Sequence, residues 1–173
     1  MKNKILVGCL IAASALTFQS CSDLLEEDPK GQRTPGNFFS SQNDIDQSLY
    51  ALYVQVNHTQ NYTNPGYPQW QGDDITANPG SNKQACAEMD KFNVSDNNKG
   101  VKDAWRLHYN VIKAANLIVD GAEKAPVAKA NIDIAIGQAR FWRAYAYYYL
   151  VRIFGPLPVN LHNVNDYGTT QLT

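Results

Sequence analysis

Cysteine is scarce in this 173-residue chain, which carries only Cys9, Cys21 and Cys86. Three histidines, His58, His108 and His162, lie far apart with no pair at ligand spacing. A Cys/His metal site therefore has no support, and the reading calls for no metal and no cofactor. Charge is sparse and balanced, with 15 basic and 16 acidic residues and a formal net charge of −1. There is no Lys/Arg run and no basic patch, so nucleic acid is not indicated as a partner. The longest apolar run, residues 5–18, falls short of the roughly 20 residues that a membrane span needs. Gly-rich phosphate loops and nucleophile motifs are missing. The adjacent acids Asp73 and Asp74 have no partner acid, so the expectation is that the protein is not an enzyme.

What is present begins with a secretory signal: Lys2 and Lys4, the apolar run, then Ser20-Cys21. A cysteine closing that run predicts a lipoprotein signal over residues 1–20, with the lipid on the Cys21 sulfur and cleavage before it. Phe18-Gln19-Ser20 is a loose version of the usual approach to such a site. Cys86 would then be the sole remaining thiol, without a disulfide partner, and loss of Lys2 and Lys4 takes the formal charge from −1 to −3. Residues 21–42, with Asp23, Glu26, Glu27 and Asp28 ahead of Pro29 and Gly31, read as an acidic, lipid-anchored tether. Residues 43–173 form the predicted domain.

Helical periodicity dominates that domain. Ser41-Gln42-Asn43-Asp44 predicts a capping box before Ile45, Leu49, Leu52 and Val56. From Asn57 to Gly100 no period of either kind persists, which predicts a long irregular loop, a length that usually signals a functional insertion. Periodicity returns at Lys102. Trp105, Tyr109, Ile112, Asn116 and Val119 make one face and Ala104, Val111, Ala115 and Ile118 the adjoining one, with Gly121 as a stop and Pro126 as a break. Asn116, a polar amide among apolar neighbours, is expected to satisfy a neighbouring helix end.

The last helix spans residues 128–154. Ala135, Ala139, Trp142, Ala146, Tyr149 and Ile153 make its main stripe, and Phe141, Tyr145 and Tyr148 a second one, which predicts packing around well over half of the cylinder. Gly155, Pro156 and Pro158 end it.

This helix carries a resemblance. Ala139, Arg140, Phe141, Arg143, Ala144, Leu150, Val151, Arg152, Gly155, Pro158 and Val159 are placed as in the signature helix of the SusD/RagB family, with Gln138 where Glu is usual. Thr34-Pro35-Gly36-Asn37-Phe38-Phe39 resembles a second family element, with Gly36 where Glu is usual; its paired aromatics are expected to anchor the tether to the fold. The acidic tether resembles the export signal of outer-leaflet lipoproteins in Bacteroidota. The resemblance implies an all-α, tetratricopeptide-like helical superhelix, of which this chain would be a truncated N-terminal fragment. It implies a glycan ligand, a SusC-like TonB-dependent transporter as partner, and attachment to the outer membrane, facing the cell surface. Relatives that handle peptides share the scaffold, and a non-binding scaffold remnant is the other class of reading.

For glycan binding, the long loop offers Tyr62, Tyr67 and Trp70 as flat faces for sugar C–H groups. Asp73, Asp74, Asn78 and Asn82 offer hydroxyl partners. The signature motif is expected to build the scaffold and leave the ligand to the loop.

Overall fold

The computed structural model describes residues 38–60, 68–77 and 83–162. Four α-helices carry it: α1 (Gln42–Thr59), α2 (Gln84–Asp90), α3 (Lys99–Gly121) and α4 (Lys129–Phe154). Short 3-10 turns lie at Pro68–Gln71 and Ala122–Lys124, and no strand occurs among the described residues. The fold is all-α, as expected.

Cross-helix contacts set the directions. Trp105 meets Phe154, His108 meets Tyr149 and Asn116 meets Arg143, so α3 and α4 run antiparallel. Gln42 pairs with Asn131, Tyr53 with Gln138 and Gln60 with Tyr145, so α1 runs parallel to α4. The core lies where the three meet. It takes Ile45, Leu52 and Val56 from α1, Val111, Ile112, Ala115 and Ile118 from α3, and Ile132, Ile136 and Leu150 from α4. Ala135, Ala139 and Ala146 interrupt the large residues of α4 on the same side, which lets neighbouring backbones approach. Each fully buried Leu or Ile contributes about 1.5–3 kcal/mol of hydrophobic stabilisation.

The caps explain the boundaries. Ser41 caps α1 by accepting from the Asp44 amide at 3.3 Å, while Asp44 Oδ2 accepts from the Ser40 amide at 3.1 Å and from both serine hydroxyls. Helix α3 begins at Lys99, ahead of the expected Lys102, because Asn98 Oδ1 accepts from the amides of Gly100 and Val101. Gly155 ends α4 at φ +71° and donates to the Val151 carbonyl.

Three expectations need correction. The loop after α1 is not irregular throughout, because it contains the 3-10 turn and α2. On α3 both expected faces supply buried residues, Ile112 and Asn116 from one and Ala104, Val111, Ala115 and Ile118 from the other, but Trp105 stands at the solvent edge, tilted against Tyr109. Packing does not surround α4 either. Phe141 and Tyr148 are exposed, Ile153 lies at the edge, and Trp142 is half-buried against Tyr53. The paired aromatics do anchor the chain preceding α1: Phe39 is buried in the core and Phe38 packs edge-on against it.

Beyond Gly155 the chain folds back as a strap over the α3–α4 pair. Leu157 is buried, and the Tyr109 hydroxyl donates to the Pro158 carbonyl at 2.8 Å. Burial pushes the Tyr109 hydroxyl up to about 12, so it remains a donor. Asn116 donates to the carbonyls of Asn160 and His162 and accepts from Arg143 at 2.8 Å. Arg143 also reaches the Leu161 carbonyl, and the Tyr147 hydroxyl exchanges hydrogen bonds with Asn160. Asn116 thus satisfies backbone of the strap and not the neighbouring helix end that its position implied.

Candidate functional site

The insertion between α1 and α3 is held by a small polar hub. Glu88 on α2 accepts from the Ser95 amide and hydroxyl and from Asn98 Nδ2, the last at 2.8 Å. These bonds, Asn98 first, hold its carboxyl below the usual carboxylate range. Asn98 is buried and also donates to the Ala85 carbonyl, so one side chain caps α3 and clamps α2 to it. At the other end Asp90 accepts from the Ala77 amide, which ties the turn after Pro68–Gln71 to α2. Cys86 is buried among these elements, and burial raises its thiol pKa, which leaves it unreactive.

Between this insertion and the end of α4 lies a cleft of about 490 Å³. Gln71, Met89 and Val94 form the insertion side; Val101 of α3 and Arg152, Ile153 and Phe154 of α4 form the other. Its lining is mainly apolar, with Gln71 and Arg152 as its polar residues. The Arg152 guanidinium lies 5.3 Å from the centre of the Tyr148 ring. Two positions before the cleft residue Val94, Phe92 is 72% exposed, with φ +52°. It occupies the position past the C-terminus of α2. Its amide donates to the Met89 carbonyl and the next amide, of Asn93, donates to Glu88, the paired bonds of a Schellman end where glycine is usual.

The sequence-based site residues are not gathered here. Trp70 lies on the 3-10 turn, half-buried, with its indole N–H finding no hydrogen-bond partner among the described residues. Asp73 and Asp74 are exposed on the following turn and do not line the cleft, which takes Gln71 instead. Tyr62, Tyr67, Asn78 and Asn82 lie outside the described residues, as does Cys21. Phe92 and Met89 escaped notice, and Arg152 read only as part of the signature helix. The apolar pair Cys86 and Met89 could have revealed a short amphipathic helix, but nothing in its spacing marks Phe92. No group of three His, Cys, Asp or Glu side chains among the described residues could hold a metal ion. No described helix is long and apolar enough to cross a membrane.

The signature helix thus has a fixed setting: buried alanines inward, a Gly-Pro end, and Arg143 and Tyr147 holding the strap. A family described as SusD-like, starch-binding and associating with the outer membrane matches residues 23–171. The chain belongs to that family. A SusD-like protein of Bacteroides ovatus is 30% identical over 161 residues, covering 91% of this chain and 28% of that protein. SusD-like protein P25 of Formosa agariphila is 29% identical over 150 residues, covering 80% of this chain and 28% of its own length. SusD-like protein P2 of the same organism is 29% identical over 154 residues, 87% of this chain and 30% of its own length. The chain therefore spans less than a third of the curated SusD-like relatives it matches. No solved structure matches it significantly.

Proposed function

We propose that this chain is the glycan-binding N-terminal part of a cell-surface lipoprotein that hands oligosaccharides to a SusC-like TonB-dependent transporter and performs no chemistry on them. Family membership carries the reading, since the matching family is described as starch-binding and associated with the outer membrane. Residues 1–20 serve as signal, Cys21 carries the lipid, and residues 21–42 tether a tetratricopeptide-like helical domain to the outer leaflet. Loss of both lipid labelling and membrane retention in Cys21→Ala is expected; retained label would remove the anchor.

The insertion supplies the ligand wall. An exposed aromatic stacks on a pyranose ring with little entropic cost, and Phe92, two positions before the cleft residue Val94, offers such a face, with Gln71 and Arg152 in the cleft as hydrogen-bond donors. In this reading Trp70, Tyr67, Asp73, Asp74 and Asn78 of the insertion also contact the sugar, Asp73 and Asp74 from outside the cleft lining. The test is calorimetric titration of the parent, Phe92→Ala and Trp70→Ala with a panel of oligosaccharides, alongside a reducing-end assay. Weaker binding in Phe92→Ala with an unchanged melting temperature is expected. Equal affinities would remove the insertion from the site, and released sugar would defeat the non-enzymatic reading. The second reading is a scaffold piece without a ligand of its own. Absence of heat with every sugar would select it.

A further inference from the structure

The cleft between the insertion and the end of α4 has a one-sided polar inventory. Apart from Gln71 and Arg152 its lining side chains are apolar. Arg152 can only donate, so the Gln71 carbonyl is the single side-chain oxygen in the lining, and no carboxylate lines it. The acids of the surrounding elements are engaged elsewhere or stand apart. Glu88 accepts from Ser95 and Asn98, Asp90 from the Ala77 amide, and Asp103 pairs with Lys99 and Arg106. Asp73, Asp74 and Asp96 are exposed and do not line the cleft. Among the described residues the Arg152 guanidinium has neither an ion pair nor a hydrogen bond, only the ring of Tyr148, one turn earlier on α4. A cation resting on an exposed ring is held weakly compared with a guanidinium that makes two hydrogen bonds to an anion. The group is thus kept near the cleft and free to turn to a ligand.

We propose that this cleft selects an acidic oligosaccharide, one whose carboxylate or sulfate ester is taken by Arg152 while its ring C–H faces lie on the apolar lining. The inference rests on the glycan reading of the cleft and goes beyond it, since the family description names starch, a neutral glucan. Every hydroxyl of a neutral sugar brings a donor as well as acceptors, and a lining with one side-chain oxygen leaves most of those donors unsatisfied. A carboxylate or sulfate ester brings acceptors alone, which is what a donor-only guanidinium requires. The planar fork meets either anion through two parallel, charge-assisted hydrogen bonds. With no protein carboxylate in the lining, nothing there repels the ligand's charge or competes for Arg152.

Calorimetric titration of the chain with matched sugars tests it. Oligogalacturonate is compared with its carboxyl-reduced form and a sulfated galacto-oligosaccharide with its desulfated form, and maltoheptaose serves as the starch fragment. The chain should bind one acidic member at least about tenfold more tightly than its neutral twin, with an affinity that falls as salt rises. Which pair shows the gap distinguishes carboxylate from sulfate. Arg152→Gln should bring that acidic member down to the affinity of its neutral twin, and Arg152→Lys, which keeps the charge and loses the fork, should lie between. The comparison of twins on the unaltered chain needs no variant, so it decides the matter even if Arg152→Gln fails to fold. Equal affinity within both pairs, or tightest binding of maltoheptaose, overturns the proposal and leaves the glycan reading standing. So does parental affinity of a folded Arg152→Gln for the preferred acidic sugar, because the anion would then be read elsewhere. Absence of heat with every sugar, acidic or neutral, overturns this inference together with the glycan reading.

Discussion

The Phe39 ring closes over Gly121 so tightly that a Cβ built on the glycine would lie 2.1 Å from Phe39 Cε2. Gly121 ends α3 at φ −103°, an angle open to any residue, so its lack of a side chain serves the approach of Phe39 and not the backbone. Gly121→Ala should lower stability by about 1–3 kcal/mol through overpacking, seen as a lower urea midpoint at constant slope. Because the clash has one named partner, the cost should largely vanish in a Phe39→Ala background, a coupling that a double-mutant cycle measures.

Gly137 gives the opposite sign. It lies inside α4, exposed, with nothing within 4 Å of an added Cβ. Gly137→Ala removes backbone freedom from the unfolded chain without a clash and should raise stability by about 0.5–1 kcal/mol. A fall in the melting temperature would mean that α4 bends or opens at this position.

The contrast between these glycines shows what the sequence carried. Position Gly121 read as a helix stop, and the helix does stop there, but the ring that requires the glycine is Phe39, 82 positions earlier in the chain. Local signals placed the caps at Ser41 and Gly155 and the cores of α1, α3 and α4, because helical period and cap chemistry are short-range. The choice of buried face was less legible. Trp105 and Phe141 satisfy the period as well as Ile112 and Ala139 do, and only the directions of neighbouring helices decide between them. The site suffered most. Helix α2 has 7 residues, too short for a period to declare itself, and it is held by Glu88 and Asn98 reaching across to each other. The cleft between it and the end of α4 joins segments about 60 positions apart, such as Met89 and Arg152, so no local spacing could announce it.

His108 provides a pH dependence. It is buried on α3, stacked on Tyr149 with ring centres 4.3 Å apart, and its Nδ1 lies 2.7 Å from the Ala104 carbonyl, which accepts from it. Nε2 is buried without a hydrogen-bond partner among the described residues. Burial disfavours the cation and outweighs the Ala104 carbonyl, which favours it, so the imidazole pKa falls below its ordinary 6.5. The unfolded chain therefore binds the proton more readily than the fold does. Stability is unaffected by this group above about 6.5 and declines as pH falls from there through the lower folded value. In His108→Gln the stability lost between pH 7 and 5 should shrink, measured as urea midpoints at each pH. An unchanged profile would assign the acid sensitivity to other groups.

Phe92 sets stability against binding. It holds the left-handed position that ends α2, at φ +52°, where an L side chain costs about 1–2 kcal/mol and glycine costs almost nothing. Its ring is 72% exposed, so little packing compensates within the described fold. Phe92→Gly should therefore raise stability, by about 1 kcal/mol, while Phe92→Ala keeps the backbone penalty and should change stability little. If the ring is the sugar platform proposed above, both variants lose affinity together. Three measurements separate the possibilities: urea midpoints, titration with the oligosaccharide that binds the parent best, and the same titration of Trp70→Ala. A more stable Phe92→Gly with parental affinity would leave the exposed ring without a role at the cleft. A less stable Phe92→Gly would mean that the ring packs in the folded protein, and would place it among the anchors of the insertion.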